Sequence, residues 1–336
     1  MDTALVTGGT GFIGANVVRT LLNHGVRVRV LVRPRGDRSN LAGLELETVE
    51  GDLLRPASLQ SAVRGVRWVF HAAASYTLWS SDPKDVYAVN VEGTRALLEA
   101  AGRSGVERIV YTSSVATVGL RKDEKPSTEE EPLHPGQLVG HYKRSKYLAE
   151  REVLGLAKKG LPVVVVNPSA PVGPWDVKPT PTGRILLDFL NRRMPAYVRT
   201  GLNWVSVQDV AEGHWLAARR GRLGERYILG HQNLYLKEIL DMLGEISGLS
   251  VPQIRLPYGV AFLAGCFSTA WAALSGREPR VPLDGVRMAR HIMFFDPGKA
   301  VAELGLPQTP VHTALRQAVE WFCQNHYVNP IPAKCS

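Results

Sequence analysis

Thr7-Gly8-Gly9-Thr10-Gly11-Phe12-Ile13-Gly14 is the segment that most restricts what this chain can become. Glycines 8 and 11 lie between a short apolar run, 3–7, and a stretch, 13–24, whose second residue is Gly14. In that stretch Ile13, Val17, Val18, Leu21 and Leu22 recur at helical spacing. Glycine permits a sharp strand-to-helix turn and a close approach of backbone to ligand. The helix that follows offers unsatisfied N–H groups and the positive end of its dipole. This combination suits the pyrophosphate of a dinucleotide, so Gly8, Gly11, Phe12, Ile13 and Gly14 are expected to hold one. A tight turn with no ligand is the plainer alternative.

The rest of the first half repeats the alternation. Apolar, β-branched runs at 26–32, 46–50, 68–72, 108–113 and 163–167 are expected as strands. Between them 56–63, 86–104 and 141–159 read as helices. Such an order predicts an α/β chain with a doubly wound Rossmann parallel sheet, and ligands at the carboxyl ends of its strands. After residue 170 prolines and glycines crowd in (Pro171, Gly173, Pro174, Pro179, Pro181) and elements shorten. We therefore expect a dinucleotide-binding domain over 1–170 and a smaller C-terminal α/β substrate domain over 171–336. The strand and helix within 203–220 are expected to return to the first.

Composition narrows the partners. The 336 residues carry a formal charge of +9. That surplus suits nucleic acid, an anionic membrane surface or a phosphate-bearing cofactor. The basic residues are scattered apart from Arg27, Arg29, Arg33, Arg35 and Arg38, and no nucleic-acid module signature is present, so nucleic acid is not expected. Cys266, Cys323 and Cys335 are too sparse for a disulfide framework or a thiolate metal site. The start of the chain reads as a strand rather than a signal peptide, so a cytoplasmic location is expected and no metal.

Arg33 follows the second strand, where an acidic residue would bind a ribose 2′-hydroxyl. Guanidinium suits a 2′-phosphate, which favours NADP over NAD; a solvated rim is the alternative. Asp52 and Leu53 follow the third strand, with Asp52 placed to accept from an adenine amino group. Ala72, Ala73 and Ala74 end the fourth strand, where small side chains would let backbone lie against the cofactor.

Tyr142 and Lys146 stand i, i+4 on an expected helix and so share one face. A neighbouring ammonium is expected to lower the phenol pKa towards working pH, making Tyr142 a general acid or base for a carbonyl/alcohol pair. Ser114, at the end of the fifth strand, would orient the substrate oxygen, or Ser113 or Thr112 if the pleat runs otherwise.

With these residues in order, the chain resembles the extended short-chain dehydrogenase/reductases, the NAD-dependent epimerase/dehydratase family. The resemblance rests on the glycine turn, Asp52-Leu53, the alanines after His71, Asn90 in 87–94, Ser114, Tyr142, Lys146 and Asn167-Pro168-Ser169. It implies hydride transfer at nicotinamide C4 with Tyr142 moving the proton and Lys146 holding the ribose. Asn90 would support the site from its helix, and Pro168 and Ser169 would line the nicotinamide. Segments 140–146, 178–184, 194–198, 284–288 and 293–295 resemble more closely the hopanoid-associated sugar epimerases, which are similar to dihydroflavonol reductases. The expected reaction is hydride transfer to or from a carbonyl or hydroxyl of a sugar-, polyol- or hopanoid-linked substrate. A sugar epimerase or dehydratase holding NAD tightly is the alternative, and a non-catalytic dinucleotide sensor a third. Arg33 fits a dissociable reductase cofactor better than a permanently held NAD. Similar proteins pair through the helices expected at 86–104 and 141–159, which implies a homodimer.

On the substrate side Tyr76 and Trp79 would floor the pocket, and Arg184 would reach a polyol or anionic substrate. Residues 258–274, with Phe262, Leu263, Phe267 and Trp271, read first as a core-facing helix. The alternative is a wall that accepts a lipid tail or touches a membrane peripherally.

Overall fold

The computed structural model describes residues 2–76, 83–275, 279 and 283–328. Its first half runs β1 (Thr3–Thr7), α1 (Phe12–Asn23), β2 (Arg27–Val32), β3 (Glu47–Glu50), α2 (Pro56–Ala62), β4 (Trp68–His71), α3 (Pro83–Tyr87), α4 (Thr94–Arg103), β5 (Arg108–Thr112), α5 (Gly140–Lys158) and β6 (Val163–Pro168). There follow β7 (Ala170–Val172), α6 (Pro181–Leu190), β8 (Ala196–Val198), β9 (Gly201–Ser206), α7 (Val207–Arg220), β10 (Arg226–Leu229), β11 (Gln232–Tyr235) and α8 (Leu236–Ser247). The chain ends with β12 (Ile254–Leu256), α9 (Tyr258–Ser275), α10 (Leu283–Ala289), β13 (Ile292–Met293), α11 (Gly298–Leu304) and α12 (Val311–Gln324).

Seven strands form one parallel sheet in the order β10-β6-β5-β4-β1-β2-β3. Alternate residues of each strand feed opposite faces, as the period of two demands. Ala4 and Val6 of β1 join Val17, Val18 and Leu21 of α1 and Val210 and Ala211 of α7. Leu5 joins Leu97 and Leu98 of α4 and Ala149 and Val153 of α5 on the other side. Both faces are thus covered, and each large aliphatic residue so buried contributes about 1.5–3 kcal/mol. The order reverses between β1 and β4. A crevice opens there at the carboxyl ends of the strands, beside the glycine turn.

A second sheet, β11-β9-β13 with β7 also on β9, lies beyond the first. With α6, α8 and α12 it encloses a separate core around Leu240, Leu243, Phe189 and Phe322. Segment 203–220 divides between the two layers: β9 pairs in the small sheet, whereas α7 packs on the large one. The strand that extends the large sheet is β10, paired with β6.

The helix expected over 86–104 is three pieces. Ala88–Gly93, between α3 and α4, winds more widely, in i→i+5 fashion, a geometry that often marks functional sites. The expectation that 258–274 faces the core is overturned: Leu263, Phe267 and Trp271 of α9 are 59%, 75% and 70% exposed. Gly265 and Ala272 on the opposite face are buried, Gly265 against α10.

Candidate active site

The glycine turn does what its composition demands. Gly8 has φ +73°, and a Cβ there would lie 2.5 Å from the Ala73 nitrogen, so only glycine lets this turn pass the end of β4. A Cβ on Gly14 would strike the carbonyl of Gly8, so this glycine brings α1 close to the turn. Gly11 is different: it is exposed, and a Cβ would meet only the Gly8 oxygen, at 3.3 Å. Gly11 is also the N-cap of α1, and among the described residues no side chain caps that end. The first-turn N–H groups of Phe12 and Ile13 are therefore available to an anion.

His71 locks the turn to β4. It bridges Thr7 Oγ1 at 2.6 Å and Thr94 Oγ1 at 2.9 Å, and burial holds it neutral by pushing its pKa down to about 3. Ala72 donates its N–H to the Thr7 carbonyl at 3.1 Å, and Ala73 and Ala74 continue along the crevice. At the end of β2, Arg33 is exposed, and among the described residues its guanidinium has no hydrogen bond or ion pair. Arg29 and Arg38 are paired, with Glu47 and Glu50. Asp52 accepts from the Leu54 N–H at 2.9 Å, and Leu53 is buried with its Cβ against Gly93.

Tyr142 and Lys146 lie on α5, facing the end of β5. Ser114 stands just past that strand, with its hydroxyl near enough to the Tyr142 phenol to draw its pKa down. Ser114 Oγ also accepts from Ala116 N–H at 3.1 Å, which orients the side chain. Ser113 is buried beside it, and its Oγ has no partner among the described residues. Lys146 Nζ donates to the Thr112 carbonyl at 2.7 Å and sits 4.8 Å from the Tyr111 ring centroid. Thr112 is held in turn by His214, whose Nδ1–H donates to the Val210 carbonyl while Nε2 accepts from Thr112 Oγ1 at 2.8 Å.

One electrostatic expectation is reversed. The Tyr142 pKa is not lowered by Lys146; burial raises it to about 12, with only the Ser114 hydrogen bond acting the other way. The ammonium is itself desolvated, which pulls it down to about 8 while Glu150, one turn further on, supports its charge. The phenol is thus held as a proton donor.

Asn90 lies in the wide-wound segment and ties three pieces together. Its Oδ1 accepts from Ser75 N–H at 2.7 Å, and its Nδ2 donates to the Ser75 carbonyl at 3.0 Å and to Ser145 Oγ at 2.9 Å. Ser145 donates to the Tyr142 carbonyl at 2.8 Å. The loop after β4 is thereby fixed to the helix that carries Tyr142. Its next residue, Tyr76, meets the Tyr142 ring edge-on at 4.4 Å between centroids. Arg184, exposed on α6, is near enough to pull the Tyr76 pKa down against the upward push of desolvation. Trp79 lies outside the described residues. Pro168 is buried at the end of β6, and Ser169 turns its hydroxyl to the Leu229 carbonyl at 3.3 Å.

Three groups at the site escape sequence reasoning. Asp176 is buried beside Arg184, takes the N–H and the hydroxyl of Thr180, and is raised to about 6 by desolvation. Lys143 is buried with no hydrogen-bond or ion-pair partner among the described residues, and burial lowers it to about 8. Glu150, also buried, gathers Thr117 Oγ1, Asn167 Nδ2 and Arg226 behind the strand ends. Only a distinctive Gly173-Pro174-Trp175-Asp176 turn hinted at the first of these.

Uncapped α1, open Gly11 and the unpartnered Ser113 hydroxyl along one crevice fit a dinucleotide. Among the described residues no group of His, Cys, Asp or Glu is placed to hold a metal. Fold and site together define a short-chain, nicotinamide-dependent enzyme. The chain belongs to the NAD dependent epimerase/dehydratase family, whose profile matches residues 4–230. It is 48% identical to the "Putative dihydroflavonol 4-reductase" of Synechocystis sp., over 97% of this chain and 95% of that one. It is 36% identical to "Sterol demethylase protein B" of Methylococcus capsulatus, over 95% and 98%. The crystal structure of gox2253 superposes with a TM-score of 0.87 at 48% identity, covering 98% of this chain and 100% of that one.

Proposed function

We propose that this enzyme is an NADP(H)-dependent reductase of a ketone or aldehyde on a lipophilic polycyclic or polyol-bearing substrate. The observation that carries the reading is the convergence of Ser114, Tyr142 and Lys146 at one strand end, with the phenol held protonated. When bound, the nicotinamide supplies or accepts the hydride. The chain's own residues do the rest. Ser114 and Tyr142 would grip the substrate oxygen, and Tyr142 would deliver a proton to it as it becomes an alkoxide. Lys146, anchored on Thr112 one helical turn beyond that phenol, would hold the nicotinamide ribose, and Glu150 supports its charge.

The unpaired Arg33 guanidinium supports NADP over NAD, because a 2′-phosphate would pair it. The names of the two relatives, a dihydroflavonol reductase and a sterol demethylase protein, support a polycyclic, apolar substrate. Tyr76 over Tyr142 gives such a substrate an aromatic floor. We expect the reaction in the cytoplasm, because three cysteines in 336 residues are too few for a disulfide framework. We expect a homodimer through α4 and α5, which light scattering reads directly.

An epimerase or dehydratase that recycles tightly held NAD is the competing reading, favoured by the family's name. Denaturing the purified protein and identifying the released nucleotide separates the two. The reductase reading expects no stoichiometric NAD, and NADPH binding at least about tenfold tighter than NADH, a difference of one charge-assisted contact. Stoichiometric NAD released on denaturation would overturn it.

A further inference from the structure

Helix α9 has no charged residue in its eighteen positions, and between Glu245 and Glu278 the chain contains no acidic residue at all. Arg255 and Arg277 are the charges in that stretch. A helix apolar on all sides belongs inside a core or against another apolar phase. Here one side is packed: Gly265 lies against Val286 and Leu283 of α10, and Thr269 Oγ1 accepts from the Leu283 N–H at 3.2 Å. The opposite side is open. Val260 (51%), Leu263 (59%), Phe267 (75%) and Trp271 (70%) are exposed there.

At 100° per residue these four side chains fall within about 80° of one another, in a stripe about 16 Å long. Half of the large exposed apolar side chains among the described residues cluster in this region, since Ile254, at 63%, precedes the helix. Arg255 is exposed beside Ile254, and Arg290 is exposed at the first turn of α9, its guanidinium 5.9 Å from the Tyr258 ring centroid. The patch is therefore apolar and aromatic at its centre, with Arg255 exposed at its N-terminal end and Arg290 on the α10 side of the first turn.

We infer that α9 is a peripheral docking surface for an anionic lipid membrane, on which the helix lies in plane with Phe267 and Trp271 in the headgroup–acyl boundary. Aromatic side chains with flanking arginines match that environment, where apolar burial and attraction to anionic headgroups add. A second copy of the chain fits less well. One stripe of four side chains offers about 500 Å², short of the roughly 800 Å² per partner of a stable protein interface. Among the described residues no helix is long and apolar enough to cross a membrane, so the contact is a surface one.

The packed side of α9 leads towards the catalytic helix: Asp284 of α10 sits 2.8 Å from where a Cβ of Gly140 would be, two residues before Tyr142. A protein docked by the exposed stripe would hold α10 and the start of α5 on the side of α9 away from the bilayer. The docking itself does not depend on the reaction proposed above.

Co-sedimentation of the full-length protein with unilamellar vesicles tests it. One set contains phosphatidylcholine alone, the other an equimolar mixture with phosphatidylglycerol. We expect partition onto the anionic vesicles to exceed that onto neutral ones. Joint Phe267→Ser and Trp271→Ser substitution should lower it by more than about tenfold. Circular dichroism and NADPH binding of the variant should match the unaltered protein, since both side chains point to solvent. No partition onto either vesicle, or equal partition of variant and unaltered protein, would overturn the inference. So would light scattering that shows the double variant breaking a dimer in the absence of vesicles. Loss of NADPH binding in both proteins would instead count against the proposed reaction and leave the vesicle result to stand on its own.

Discussion

Tyr142 gains its chemistry from burial rather than from its neighbouring cation. With a pKa near 12 the phenol stays protonated at any physiological pH, the form that donates to a carbonyl oxygen. Tyr142→Phe keeps the ring against Tyr76 and removes the proton. Turnover of NADPH with an apolar polycyclic ketone as probe should fall about 10²- to 10⁴-fold, while NADPH affinity by fluorescence titration changes less than about threefold. Equal loss of both would mean that the residue is structural. Lys146 sets the pH dependence instead. Its ammonium loses its proton near pH 8, so turnover should decline as pH rises through about 8. Lys146→Arg, whose charge persists, should remove that decline even if overall turnover is lower. A flat profile for the unaltered enzyme from about pH 7 to 10 would show that this charge is not used.

The elements matter through how they hold these side chains. Asn90 can reach Ser75 and Ser145 together because Ala88–Gly93 is wound wide. Asn90→Ala leaves the Ser75 groups and Ser145 Oγ short of partners, a cost of about 1–3 kcal/mol, visible as a lower urea midpoint. It should also raise KM more than it lowers kcat, because the loop bearing Tyr76 is loosened while Tyr142 keeps its helix. An unchanged KM would place that loop outside the substrate site. The wide winding was not legible in the sequence, since 86–104 keeps an apolar helical period throughout. The first strand, the glycine turn and the Tyr142–Lys146 face were legible, because local rules alone determine them. Where contacts are distant the sequence was silent. It could not show that β9 finds β11 and β7 while β10 completes the large sheet, nor that α9 turns Phe267 and Trp271 to solvent. The sign of the Tyr142 shift was missed for the same reason: spacing revealed the cation, but not the desolvation of the half-buried phenol.

At the scale of the whole molecule, buried titratable groups set how stability responds to acid. His71 and His214 stay neutral down to about pH 3 and 4. In the unfolded chain they protonate near 6.5, so below that pH the unfolded state binds protons that the native state refuses, and stability falls. Asp176 acts in the opposite sense, because its native carboxyl takes up a proton near pH 6, well above the unfolded value. The balance is a loss of about 2 kcal/mol between pH 6.5 and pH 5, read from urea midpoints. Unchanged or greater stability at pH 5 would contradict it. The same architecture brings the glycine turn, the end of β5 and the first turns of α5 to one crevice, and the account depends on that crevice being a dinucleotide site. A crystal structure with NADP+ tests this most directly. We predict the pyrophosphate at Gly11–Ile13, the 2′-phosphate paired with Arg33, and the nicotinamide between Pro168–Ser169 and the Tyr142 hydroxyl. A nucleotide bound elsewhere, or a Tyr142 hydroxyl directed away from the nicotinamide, would contradict it.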